Sequence, residues 1–330
     1  MLDIIIPTYK NKDGLRRTLQ SINTALLNEI KVHVIDDCSN LDYNNIINEF
    51  PFIHLNICPK NSGPGMARNT MMLQTSEPYI LFIDTGDTFL SDDVQVEMLQ
   101  TIKQNPDIYF FSWQHIEEEK QEVCKDTHNR LHGRVYSREF LQKYNIQFAP
   151  KGSYANEDIG FNRTCRIFLE DKYKDNHYLL IHTPIILWEY NADSITKRNN
   201  REFNYASQNL GLAWNEIHLF ETCCAQHVSS TRMQKEAGDV MGSLYHGVYK
   251  TAQERPEFVQ QAWDGAYLFY HQVYVNYEHT GAALHLQATF SKIMRDVNKN
   301  KEKWSKNIPL NIKRFLADLK QSNIVPKIYI

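Results

Sequence analysis

The chain predicts an α/β fold: a Rossmann-like, mostly parallel sheet with helices on both faces, followed by a helical C-terminal region. Three observations carry this reading. Short β-branched or apolar runs recur through residues 1–115, each separated from the next by a segment with apolar residues at helical spacing. That alternation marks βαβ units and a parallel sheet covered on both faces. Polar clusters fall directly after these runs, at the strand ends where sheets of this class bind ligands. Beyond Asn200 the strand signals give way to long helical segments.

The run 2–6 is apolar, β-branched and stopped by Pro7, so it forms the first strand. Residues 15–27 place Leu15, Leu19, Ile22, Ala25 and Leu26 at helical spacing. A second strand over 31–35 ends on Asp36-Asp37, and a short helix over 43–50 leads to a third strand over 52–57. The turn-rich stretch 59–65 opens a helix near 66–73. The fourth strand, 79–83, ends on Asp84-Thr85-Gly86-Asp87, and a helix over 94–104 precedes a fifth strand at 108–113. The polar stretch 117–130 reads as a mobile excursion. Helices over 137–144 and 158–168 and a strand over 184–190 complete a first domain, taken as residues 1–200. Helical patterns over 205–221, 233–250, 258–278 and 284–297 define a second region, 201–330, assigned to the acceptor side or to oligomerisation.

The composition, 42% hydrophobic and 23% charged, is that of an ordinary globular protein. The six cysteines form no CxxC pair and no regular framework, which points to free thiols in a reducing, cytoplasmic setting. Met1 runs straight into the first strand, so no signal peptide is expected, and no apolar run is long enough for a membrane span. The formal net charge of −3 conceals an asymmetry, because residues 292–327 hold ten Lys or Arg against Asp296, Glu302 and Asp318. Within this basic tail, 292–330, Ile312, Phe315, Leu316 and Leu319 make an apolar stripe between Lys313, Arg314 and Lys320. Such a helix is open to three uses: packing on the body, peripheral contact with anionic lipid, or contact with nucleic-acid phosphates.

Four clusters carry chemistry suited to a sugar nucleotide, which offers a base, a ribose, a diphosphate and an anomeric carbon. Tyr9 can stack on a pyrimidine, and Asp37 can accept from its imide N–H or bond the ribose; the plain alternative is that Asp36-Asp37 caps a turn. Asn61-Ser62-Gly63-Pro64-Gly65 before a helix allows close backbone approach to phosphate, with Arg68 as a fixed cation. Carboxylates at the end of an apolar strand, Asp84 and Asp87, are costly unless they hold a cation or hydrogen-bond partners. A divalent ion there, Mn2+ or Mg2+, would offset the charge of a departing nucleotide diphosphate; a turn built on Asp-Thr-Gly-Asp is the alternative. Glu157-Asp158 opens a helix, where an acid either complements the helix dipole or serves as general base. His132 and His182 lie near these clusters in the chain and are open to phosphate contact, metal contact or a structural role.

Taken together, Pro7-Thr8-Tyr9, Val34-Ile35-Asp36-Asp37-Cys38-Ser39, Asn61-Ser62-Gly63 with Ala67-Arg68-Asn69, Phe82-Ile83-Asp84-Thr85-Gly86-Asp87 and Glu157-Asp158 stand in an order and spacing that resembles the family 2 glycosyltransferases, over about residues 1–200. The resemblance implies a GT-A fold and an inverting, metal-dependent transferase that uses a UDP-sugar. It implies uridine and diphosphate contacts at Pro7, Tyr9, Asp37, Arg68 and Asp84, a metal-binding carboxylate at Asp87, and a catalytic base at Asp158. Gly63, Glu157, His132, Arg134 and Ser194 are the further candidates for donor or acceptor contact, the last in a segment similar to one that closes over the phosphates. Gly86 departs from the pattern, since the family usually has a carboxylate there, leaving Asp84 and Asp87 to hold the ion.

The expected acceptor is a saccharide in surface polysaccharide or glycoconjugate synthesis. Two alternatives stay open at this level: a DNA glycosyltransferase acting on a hydroxymethylated base, and an inactive nucleotide-sugar-binding module.

Overall fold

The computed structural model describes residues 1–117, 120–124, 130–150, 156–172, 178–189, 205–254 and 256–277. The chain falls into two compact units, Met1–Ala192 and Asp193–Ile330. The first begins with β1 (Leu2–Thr8), α1 (Lys12–Gln20), β2 (Ile30–Asp36), α2 (Asn44–Glu49), β3 (Ile53–Ile57), α3 (Pro64–Gln74) and β4 (Tyr79–Phe82). It continues with β5 (Thr88–Phe89), α4 (Asp92–Thr101), β6 (Ile108–Glu117), β7 (Lys120–Cys124), β8 (Arg134–Ser137), α5 (Arg138–Lys143), α6 (Glu157–Lys172) and β9 (Tyr178–Glu189).

The strands form one sheet in the order β3-β2-β1-β4-β8-β6-β9-β5, with β7 paired to β6. From β3 to β4 the pairing is parallel, and β1 is buried along its whole length, as a strand covered on both faces must be. The other half is mixed, because β8 inserts antiparallel between β4 and β6. The chain reaches β8 from β6 without a crossover helix, and a direct return of that kind can only pair antiparallel. The polar excursion therefore contains a strand: β7 folds back on β6 from Trp113↔Cys124 to Glu117↔Lys120, while residues 125–129 lie outside the described residues.

The helix expected over 15–27 stops at Gln20. The Ser21 hydroxyl donates to the Thr18 carbonyl at 2.7 Å and closes the last turn. Asn23 then accepts from the Ala25 amide at 3.0 Å and starts a separate 3₁₀ turn, Thr24–Leu26.

Two cores flank the sheet. On one face Ile4, Ile6, Leu15, Leu19, Val32, Val34, Leu81 and Leu99 pack together. The other holds an aromatic group centred on Phe82, whose ring lies 5.5–6.0 Å from those of Tyr136, Phe148 and Phe161. Phe148 and Phe161 stack at 4.2 Å. Such pairs contribute roughly 0.5–1.5 kcal/mol each beyond burial. This group matters for function because Phe82 stands two residues before Asp84 and Phe161 three after Asp158. Their packing fixes the helix bearing Asp158 against the strand that leads into Asp84.

The second unit, by itself, contains α7 (Tyr205–Ala225), α8 (Ser230–Glu254) and α9 (Val259–Tyr277). Buried Asn209 ties the three helices together, its amide donating to the carbonyls of Leu244 (2.9 Å) and Ala262 (3.2 Å). No helix among the described residues is long and apolar enough to cross a membrane. The helix expected over 284–297, the basic tail 292–330 and Ser194 lie outside the described residues.

Candidate active site

The strand-end loops are stitched to one another. The Asp37 amide donates to the Thr8 carbonyl (2.9 Å), the Cys58 amide to the Asp36 carbonyl (2.8 Å), and the Thr85 hydroxyl to the Pro7 carbonyl (2.7 Å). Asp36 is buried and accepts from the Ser39 amide, the Ser39 hydroxyl and the Tyr43 hydroxyl, so it shapes its loop rather than facing a ligand. Asp37 is also buried, and its two oxygens accept from the Ser62 and Gly63 amides at 2.9 and 2.8 Å. Each oxygen keeps a second lone pair for a ligand donor. Burial pushes the Asp37 carboxyl above its ordinary range, against the pull of those amides. Gly63 holds φ +87°, a left-handed conformation that turns its amide to Asp37 at the start of α3. Tyr9 is 43% exposed beside this loop, with its ring open apart from Lys10, whose ammonium lies 5.0 Å from its centre.

Four carboxylates gather around one arginine. Arg68, 2% exposed, donates through Nη1 to Glu157 (2.9 Å) and through Nη2 to Asp84 (2.5 Å). The expected diphosphate cation is thus a strut beneath the site, linking the β4 loop to the first turn of α6. Asp84 is surrounded by protein yet has 46% of its side chain open to solvent. Burial works to raise its pKa, but Arg68, His132 and Arg130 together hold it below the ordinary value. Burial pushes Asp87 up to about 6, against His132 and with help from Asp84. Burial likewise lifts Glu157 to about 7, despite Arg68. Asp158 is raised too, by burial first, with Arg130 and Arg68 opposing. A carboxyl raised toward neutrality is a better proton acceptor than an ordinary one.

Asp158 is the second residue of α6, just after Asn156 at φ +58°. Its Oδ1 accepts from the Ile159 amide (2.9 Å), and its Oδ2 lies 4.0 Å from Arg130 Nη1. Sequence reasoning missed Arg130, whose only signal was a basic residue closing a polar stretch.

Asp84, Asp87 and His132 place one ligand atom each within 4.8 Å of one another. His132 Nε2 stands 3.1 Å from Asp87 Oδ2, a charge contact without hydrogen-bond alignment, so that oxygen and both ring nitrogens are buried without a hydrogen bond. Unmet buried groups of this kind fit a cation site. Burial disfavours the imidazolium, yet Asp87, Asp84 and Asp158 outweigh it and raise His132 above its ordinary range. His182 is exposed on β9 and belongs to no such group among the described residues. Arg134, the first residue of β8, is buried, its guanidinium 4.3 Å from the Phe110 ring centre. Gly86 holds φ +109°, with its amide on the Thr18 hydroxyl at 2.9 Å. The turn geometry explains the absence of a carboxylate side chain there, since an L-residue at this φ is strained.

The model of the family described as "Glycosyl transferase family 2" matches residues 3–168, about half of the chain. The chain belongs to glycosyl transferase family 2. The match spans all four clusters, from Pro7 to Asp158.

Curated family relatives include an uncharacterized glycosyltransferase of Haemophilus influenzae, 30% identical over 33% of this chain and 37% of its own length. A processive diacylglycerol beta-glycosyltransferase of Mycoplasma genitalium is 29% identical over 31% of this chain and 32% of its own length. The Escherichia coli beta-1,3-glucosyltransferase WfaP, named for UDP-Glc and a GlcNAc-diphosphoundecaprenol, is 30% identical over 37% of this chain and 49% of its own length. The matches thus span about a third of the length of the first two relatives. The crystal structure of Staphylococcus aureus TarS residues 1–349 with UDP-GlcNAc shares the fold, with a TM-score of 0.57 at 13% identity, covering 89% of this chain and 92% of that one. The fold of this family 2 member is therefore GT-A.

Proposed function

We propose that this glycosyltransferase moves a sugar from a UDP-sugar to a hydroxyl acceptor with inversion at the anomeric carbon, the acceptor being a saccharide of surface polysaccharide or glycoconjugate synthesis. The observation that carries the reading is the meeting of Asp84, Asp87, Glu157 and Asp158, from segments some 70 residues apart, around buried Arg68. WfaP is named for a UDP-sugar donor, and the similar TarS structure holds UDP-GlcNAc, which supports the donor class.

Each residue then has a task. Tyr9 offers its exposed ring to the uracil, with the Pro7 carbonyl and Asp37 shaping the pocket around the uridine. Asp158 Oδ2 takes the proton of the acceptor hydroxyl as that oxygen attacks the anomeric carbon from the face opposite the diphosphate. A single displacement with one base yields inversion. Glu157, tied to Arg68, holds the base helix in place and is not the base itself. A divalent ion, Mn2+ or Mg2+, fits Asp87 and Asp84 and would supply charge neutralisation for the leaving diphosphate.

Thermal shift with a panel of nucleotide sugars, with and without Mn2+, tests the donor class. UDP-sugars should raise the melting temperature and Mn2+ should enlarge the shift, whereas stabilisation by none of the UDP-sugars would overturn the reading. The anomeric configuration of product, read by NMR, tests inversion.

A further inference from the structure

We infer that His132 is a third protein ligand of the cation site, and that its imidazole makes the site prefer first-row transition dications such as Mn2+ and Co2+ over Mg2+. This rests on the nucleotide-sugar reading above and adds a residue-specific account of which ion the site selects.

The acids sit on one tight turn. Because Gly86 occupies a left-handed position without a side chain, the loop offers two carboxylates where its sequence spacing would admit three. A third donor comes from elsewhere in the chain. His132 precedes β8, and Gly133 behind it holds φ +69°, where a Cβ would lie 2.6 Å from the Phe111 carbonyl oxygen. Only glycine lets the chain press that closely on β6, and this brings the imidazole over the acids. The ring is also backed from behind. Trp113 lies 5.0 Å away at 31°, and Trp188 meets it edge-on at 6.3 Å.

The donor atoms fit one ion. Two neighbouring ligands of an octahedral ion with bonds of about 2.1 Å stand about 3 Å apart, and His132 Nε2 lies 3.1 Å from Asp87 Oδ2. Neither atom has a hydrogen bond, and the two side chains are 12% and 8% exposed. At that spacing the two groups form an ion pair while the imidazole is protonated, and stand as neighbouring ligands of one dication when it is neutral. The choice of metal follows from ligand chemistry. Oxygen ligands suit Mg2+ and Mn2+ alike, whereas imidazole suits transition metals and Mg2+ disfavours it.

The test uses the full chain with UDP and Mn2+. Pulsed EPR should show hyperfine coupling from a directly bound 14N, converting to 15N coupling when the protein carries 15N-histidine. In His132→Gln that coupling should vanish. Mn2+ affinity should fall by at least the roughly 10–100-fold that even outer-sphere partners of a metal ligand are worth, while Mg2+ affinity, read by competition, stays nearly level. Mn2+ bound in the wild-type protein without nitrogen coupling would overturn the inference and leave the nucleotide-sugar reading standing. Failure of Mn2+ and UDP to bind at all would overturn both. The wild-type spectrum decides the matter even if the variant does not fold.

Discussion

Replacing Asp87 by asparagine should make the metal-free protein more stable at pH 8. Burial holds this carboxyl at about 6 against an ordinary 3.8, with His132 relieving part of the cost and Asp84 adding to it. Between those two values the native state binds more protons than the unfolded chain, so stability falls as pH rises through the window and levels off above it. At about 1.4 kcal/mol per pKa unit, the ionised carboxylate costs the native state roughly 3 kcal/mol at pH 8 and about half as much at pH 5. An asparagine side chain has nearly the same shape and no charge, so D87N should recover most of that cost. The assay is urea unfolding in EDTA at pH 5 and pH 8. Adding Mn2+ should reverse the order, because the wild-type protein gains binding energy that the variant has lost. A variant less stable than wild type at pH 8, or a gain equal at both pH values, would refute the electrostatic account of this site.

Further outcomes follow from other parts of the site and its frame. Asp158→Asn should lower kcat by roughly 10²–10⁴-fold, the usual share of a general base, with UDP affinity measured by calorimetry near normal; loss of UDP binding would mark the residue as structural. Gly86→Asp should cost about 1–3 kcal/mol from its left-handed backbone without raising Mn2+ affinity, and a tighter site would show that the turn can be rebuilt. Asp3, buried at the far end of β1, accepts from His33, Arg138 and the Glu77 amide. Burial works to raise its pKa, but those partners together hold it below the ordinary range. The stability it supplies is therefore present above the ordinary carboxylate pKa and lost as pH falls through the lowered value. Asp3→Asn should cost about 3–5 kcal/mol at pH 7, less in acid, while UDP binding to the folded protein is retained.

The amino-acid sequence by itself determined β1 to β4, β6 and β9, most of the helices and the polar clusters between them, but not the short strands β5, β7 and β8. Those features are written locally, in β-branched runs, helical spacing and turn-forming Gly, Pro and Asp, and steric preference reads them without reference to the rest of the chain. It also determined that Asp84 and Asp87 follow an apolar strand, where a carboxylate calls for an explanation, and that Glu157-Asp158 opens a helix. Only the tertiary structure decided that Arg68 is a buried strut, that Asp37 spends its oxygens on the 62–63 loop, and that β8 enters the sheet antiparallel. The same holds for His132, which meets Asp87 from 45 residues away because Gly133 and Trp113 place it there. Such contacts depend on strand register and packing between distant segments, and no local spacing encodes either.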